Sequence, residues 1–295
     1  MHTMKLALIG SNGMLARKVR ELAPAHYEVV GFDLPDFDLT DREQVLAEIT
    51  RLQPAVIVNC AAFTNVDACE VEEELATRVN GAGPGYLAAA ALAVGAVLVH
   101  ISTDYVFAGD KGTPYLETDP TRPLSAYGRS KLAGEGAIMA SGLLRYFILR
   151  TSWLYGPGGK NFVETMLRLA AERDELRVVA DQIGSPTYTG DLAEAIYHLL
   201  AVADQSDVYG IYHLANLGEC SWHGFAETIV ELARSSGEAL KANRIVPIRT
   251  DEYPLPAPRP AYSVFSKEKY LSATGATLPH WRESLQRYLK ERFKN

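Results

Sequence analysis

The chain has 295 residues, 47% of them apolar and 22% charged, with a formal net charge of −7. That length accommodates a full α/β core plus a smaller lobe, and the composition is that of an ordinary globular protein. The acidic balance argues against a nucleic-acid partner, and no apolar run reaches the roughly 18 residues of a membrane span, so the expected partner is a small molecule.

Lys5 to Ile9 reads as a short buried strand, Gly10-Ser-Asn-Gly13-Met-Leu-Ala16 as a turn, and Leu15 to Leu22 as a helix. Glycines at Gly10 and Gly13 allow a tight strand-to-helix turn and let a pyrophosphate approach the helix N-terminus. A second strand, Tyr27 to Phe32, ends at Asp33, 20 residues after Gly13, where a dinucleotide fold places an acid on the adenosine ribose. An acid there leans toward NADH over NADPH, because it repels a 2′-phosphate. Asp38 to Asp41 reads as the cap region of a helix through Ile49, with Asp38 and Leu39 flanking the adenine.

Pro54 to Asn59 is a third strand, closing on the small residues Cys60, Ala61 and Ala62. From Thr64 a helix is expected, whose Asp67, Glu70, Glu72, Glu73 and Glu74 read as a solvated acidic face. Asn80 lies further along that helical stretch, as catalytic support or as a structural tie. Gly95 to Ser102 is a fourth strand delivering Thr103, Asp104 and Tyr105 to its carboxyl end, where an open parallel sheet binds ligands. His100 reads as a core histidine, and the Gly109 to Pro123 loop as a flap or substrate wall.

Tyr127 and Lys131 stand four residues apart in the next predicted helix, hence on one face. An ammonium beside a phenol favours the phenolate, so the pair can do acid-base work near neutral pH. Arg145 to Arg150 supplies a fifth strand, and the alternation predicts a Rossmann-like, doubly wound parallel sheet over residues 1–150. Residues 151–295 are expected to form mainly a smaller C-terminal α/β substrate lobe, with segments near 176–215 returning to the sheet. Within them Asn161 to Glu172 and Asp191 to Leu200 read as helices, Ser221 as a helix cap, and Pro279 to Phe293 as a final packing or subunit-contact helix. The proline-rich stretch Tyr253 to Pro260 is a stiff loop that holds Arg259, suited to a diphosphate or to a salt bridge. Cys60, Cys69 and Cys220 are too few and too scattered for a disulfide framework or a zinc site, and suit a reducing cytoplasm.

The combined set resembles the extended short-chain dehydrogenase/reductases: the glycine turn, Asp33, Asn59-Cys-Ala-Ala62, Ser102-Thr103-Asp104-Tyr105, and the Tyr127/Lys131 pair. More narrowly, Thr64-Asn-Val-Asp67, Arg150-Thr-Ser-Trp153, Asp181-Gln-Ile-Gly-Ser-Pro-Thr187 and Arg259-Pro-Ala-Tyr-Ser263 resemble the dTDP-4-dehydrorhamnose reductase family. The resemblance implies reduction of a nucleotide 4-ketosugar by NADPH or NADH. Thr103 would bind the substrate carbonyl, Tyr127 would protonate the alkoxide, and Lys131 would hold the nicotinamide ribose and depress the tyrosine. Asp104, Tyr105, Trp153 and Arg259 are implied on the substrate side. Gly10, Ser11, Asn12, Gly13, Met14, Asp33, Asp38, Leu39, Ala61, Ala62, Thr64 and Ser102 are implied along the dinucleotide. Some relatives hold a magnesium ion at a dimer contact; its ligands are not placed here, no structural metal is expected, and a homodimer stays open. Two alternatives stand beside the leading one: a reductase of another nucleotide 4-ketosugar, and a non-catalytic regulatory subunit of the same fold.

Overall fold

A computed structural model describes residues 3–205 and 208–293. Strand and helix alternate from the start: β1 (Met4–Ile9), α1 (Met14–Glu21), β2 (Tyr27–Phe32), α2 (Arg42–Leu52) and β3 (Val56–Asn59). All of β3 is buried, the pattern of a strand covered on both faces. Asp41 caps α2 by accepting the Gln44 N–H, so the expected cap region resolves to its last residue.

The single helix expected from Thr64 is instead broken into α3 (Val66–Cys69), α4 (Glu73–Thr77), a π turn over Arg78–Ala82 and α5 (Gly83–Val94). Pro84 accounts for part of this, since it brings no N–H to the Asn80 carbonyl. Gly134 packs against that carbonyl, where a Cβ would collide. The acidic run is not one solvated face either. Asp67 binds Arg259, Glu70 accepts the Ala126 N–H, and Glu73 binds Arg129. Asn80 is a structural tie, accepting the Phe63 N–H and donating to the Phe63 carbonyl and to Ser130 Oγ.

Next come β4 (Val97–Thr103), α6 (Ala126–Ala140), β5 (Tyr146–Thr151), β6 (Leu154–Tyr155), α7 (Phe162–Glu172), β7 (Glu175–Val179), β8 (Ile183–Gly184), β9 (Thr187–Tyr188), α8 (Thr189–Ala203) and β10 (Gly210–His213). The chain continues through β11 (Cys220–Ser221), α9 (Trp222–Ser235), β12 (Arg244–Ile248), α10 (Glu268–Thr274) and α11 (Trp281–Arg292). The central sheet is parallel throughout, in the order β10-β5-β4-β3-β1-β2. Its order reverses between β1 and β3, which opens a crevice at their carboxyl ends.

One core cluster joins Leu6, Leu8, Val58 and Val99 to α1 and α8; another joins Ala7, Ile9, Ile57 and Leu98 to α2 and α5. A third, with Phe225, Trp281, Leu285 and Tyr288, binds α7, α9 and α11 into the smaller lobe. The last helix therefore spends its apolar face within the chain. Of the segment expected to return to the sheet, α8 and β10 do so, whereas β7 pairs with β12 in a separate parallel ribbon. The Gly109 to Pro123 loop is pinned: the Tyr115 hydroxyl accepts N–H bonds from Gly109, Asp110 and Lys111, and its ring stacks on Phe107.

Candidate active site

Thr103 ends β4 in extended geometry, and its hydroxyl both accepts the Tyr105 N–H (3.2 Å) and donates to Asp104 Oδ1 (3.0 Å). These bonds set the turn that carries Asp104 and Tyr105. Ser125 caps α6 through the Gly128 N–H, and Tyr127 and Lys131 then fall one turn apart, as the spacing predicts. A Cβ at Gly128 would collide with the Tyr105 carbonyl, so the glycine lets α6 sit directly on that turn. The Tyr127 phenol faces the Thr103 hydroxyl, and its ring meets Tyr105 edge-on with centroids 5.4 Å apart.

The electrostatics differ from the expectation. Burial pushes the Tyr127 phenol above its usual value, against a smaller pull from Thr103. Lys131 does not bring it down, because its Nζ donates to the Ile101 carbonyl (2.6 Å) and lies 3.3 Å from His100 Nε2. Burial in turn lowers the Lys131 ammonium to about 8, opposed by Glu135 and Cys60. The pair is thus set to present a protonated phenol, the form needed by a proton donor. Asp104 is also buried, and burial raises its carboxyl to about 6 against the opposing pull of Ser263 and Thr103.

At the crevice, Gly10 has φ +72°, and a Cβ there would stand 2.7 Å from the Ala61 backbone. Gly13 precedes α1 without any side-chain cap, leaving the first-turn N–H groups of α1 facing the crevice without a side-chain acceptor. Asp33 stands at the β2 end and accepts from the Asn12 and Leu34 N–H groups. This bare, donor-lined cradle beside a carboxylate fits a dinucleotide. Ser11 is buried beside Gly31, Met14 reaches across to Gly159 and Asn161, Ala62 is half-buried and Thr64 exposed just past β3. Asp38 spends Oδ1 on Thr40, and Leu39 is buried against Gly83.

Ser102 points inward. Its hydroxyl donates to Glu135 (2.5 Å), which forms a buried, two-pronged ion pair with Arg150. It therefore belongs to the support under the site.

Trp153 follows β5 with φ +47°, a strained conformation for a bulky residue, and stacks on Trp222. Arg259 meets Asp67 with both oxygens, at 2.6 and 2.9 Å, which realises the salt-bridge reading of that residue. A cavity of about 590 Å³ opens between these elements, lined by Tyr105, Phe162, Trp222 and Tyr253. Arg173, Arg177 and Arg259 are its charged lining residues, and no carboxylate lines it. Sequence reasoning missed Arg173, Arg177, Trp222 and Tyr253 here, and no motif marks them. It also took His100 for core packing alone, although His100 touches Lys131.

The profile of the family described as RmlD substrate binding domain matches residues 4–293. A dTDP-4-dehydrorhamnose reductase of Burkholderia thailandensis is 44% identical, over 95% of this chain and 96% of its own length. The chain belongs to the dTDP-4-dehydrorhamnose reductase family. A spore coat polysaccharide biosynthesis protein of Bacillus subtilis, SpsK, is 45% identical over 98% of both chains. The crystal structure of a Bacillus anthracis dTDP-4-dehydrorhamnose reductase in complex with NADP superposes with a TM-score of 0.91, at 42% identity over 99% of this chain and all of that one. Among the described residues, no group of three or more His, Cys, Asp and Glu is placed to hold a metal ion, and no helix is long and apolar enough to cross a membrane.

Proposed function

We propose that this chain is an NADH- or NADPH-dependent reductase that converts the C4 ketone of dTDP-4-dehydro-6-deoxy-L-mannose (dTDP-4-dehydrorhamnose) into the alcohol of dTDP-L-rhamnose. The observation that carries this reading is the Thr103–Tyr127 hydroxyl pair at the carboxyl edge of the sheet, between a glycine cradle and a cavity ringed by arginines. The cradle from Gly10 to Met14 would hold the dinucleotide phosphates, Asp33 the adenosine ribose and Lys131 the nicotinamide ribose; when bound, the cofactor supplies the hydride.

The protein's own groups do the rest. Thr103 holds the ketone oxygen, and the enclosed Tyr127 phenol gives its proton to that oxygen as negative charge develops there. Arg259, oriented by Asp67, and the arginines across the cavity attract the diphosphate. Trp153 walls the hexose. Because the substrate and both dinucleotides are soluble nucleotides, the cytoplasm is the fitting compartment.

Purified protein should oxidise NAD(P)H only when the 4-ketosugar is added, and Tyr127→Phe should lose at least about 100-fold of that rate. A phenylalanine variant with near wild-type turnover overturns the mechanism. A panel of dTDP and UDP 4-ketosugars separates this substrate from its neighbours, since a few pocket side chains set that choice. The regulatory-subunit reading is disfavoured by the intact Thr103, Tyr127 and Lys131 set.

A further inference from the structure

Asn59 of β3 and His100 of β4 are register partners in the sheet, and both are buried behind the catalytic face together with Lys131 of α6. Their hydrogen bonds fix one another's protons. A backbone N–H can only donate, so the Ala61 N–H at 3.1 Å identifies Asn59 Oδ1 as the acceptor. The amide nitrogen of Asn59 is then the atom 3.0 Å from His100 Nδ1, and it too can only donate. Nδ1 must accept, so a neutral imidazole carries its proton on Nε2, 3.3 Å from Lys131 Nζ. Burial holds His100 well below its usual value, which keeps the ring neutral.

An N–H therefore points at the lysine nitrogen. A neutral amine can accept it while still donating to the Ile101 carbonyl; an ammonium would meet it proton to proton. The other groups facing Lys131 do not reverse this. Glu135, one turn on in α6, is already engaged by Arg150 of β5 and Ser102 of β4. Cys60, past β3, has its thiol pushed up to about 12 by burial and is neutral. Tyr127, one turn back, is a protonated phenol. His213, behind Arg150, is held down to about 3 and is neutral as well.

We propose that Asn59 and His100 are positioning residues for Lys131: Asn59 fixes the Nε2–H tautomer, and the His100 N–H holds Nζ and stabilises its neutral form. Lys131 is then a proton-exchanging group behind Tyr127 instead of a permanent cation. The catalytic consequence rests on the reductase reading above; the tautomer does not.

Two measurements test this. In protein labelled with ¹⁵N-histidine, the imidazole nitrogens of His100 report the tautomer without any substrate, and Nε2–H is expected at pH 7. In Asn59→Asp, the carboxylate accepts both the Ala61 N–H and a His100 Nδ1–H, turning a bare Nε2 toward Lys131. The alkaline limb of kcat/KM should then move up by about one pH unit or more. His100→Phe, which keeps a ring in place but removes the N–H, should move it in the same direction and serves if the aspartate variant does not fold. An Nδ1–H tautomer in the wild type, or a limb that stays put in the folded variants, overturns the proposal. If the chain proves inactive on 4-ketosugars, the reductase reading fails and the tautomer spectrum alone decides this one.

Discussion

Trp153 and Trp222 stack face to face, with ring centroids 3.5 Å apart and planes within 10°. The first follows β5 of the central sheet and the second opens α9 of the lobe and lines the cavity, so the stack ties the end of the sheet to a cavity wall. It also explains the left-handed backbone at Trp153, which turns the ring away from the sheet edge toward its partner. Gly184 is part of this arrangement, since a Cβ there would stand 2.5 Å from the Trp153 indole.

Trp222→Ala removes a stack worth about 0.5–1.5 kcal/mol beyond its buried area. KM for the nucleotide sugar should rise roughly threefold to tenfold with a smaller change in kcat, and Trp222→Phe should recover most of the loss. Steady-state kinetics with saturating cofactor reads both, and an unchanged KM in the alanine variant would remove the stack from the substrate wall.

The Asp67–Arg259 pair ties the proline-rich loop to α3. Its hydrogen bonds from Arg259 hold the Asp67 carboxyl below the usual aspartate range. A carboxyl depressed in the folded protein contributes stability above its ordinary value of about 4 and loses it as pH falls through the lower folded value. The pair is partly exposed, so its share is about 1 kcal/mol or less. Asp67→Asn should therefore cost little stability at pH 7 and nothing at pH 2, while raising KM by freeing the loop. Urea unfolding at the two pH values, beside kinetics at pH 7, checks the sign.

Asp104 runs the other way. Its buried carboxyl is raised to about 6, so the unfolded chain loses that proton first and stability falls as pH rises from about 4 to 6. The loss above pH 6 is on the order of 1–3 kcal/mol. Asp104→Asn should flatten that part of the stability profile, seen as a Tm that no longer declines between pH 4 and 6. A variant with the wild-type slope would assign the slope to another group.

Asp33 presents a carboxylate at the end of β2, with both oxygens held by backbone N–H groups. That fixed charge opposes a 2′-phosphate, yet a relative 42% identical binds NADP. Asp33→Ser should shift the ratio of kcat/KM values toward NADPH by on the order of tenfold. Parallel assays with NADH and NADPH measure it; a ratio that does not move would show that the ribose is read elsewhere.

Much of this protein was legible along the chain, because its signals are local. Alternating apolar runs and amphipathic stretches specify a doubly wound sheet, the glycine turn after β1 needs only neighbouring residues, and four-residue spacing puts Tyr127 and Lys131 on one helical face whatever surrounds them. Local pattern failed where distant chain decides. The helix expected from Thr64 is interrupted at residues 70–72 and widens into a π turn where Pro84 brings no N–H to Asn80, and its acidic side chains find Ala126, Arg129 and Arg259 from far along the sequence. Ser102 and His100 occupy strand positions whose partners, Glu135 and Lys131, lie on a helix roughly 30 residues later. The cavity is assembled from side chains between Tyr105 and Arg259. Protonation is tertiary for the same physical reason: the spacing alone predicts an ammonium that lowers a phenol, but burial penalises every charge it encloses, and only the packed structure shows which groups are enclosed.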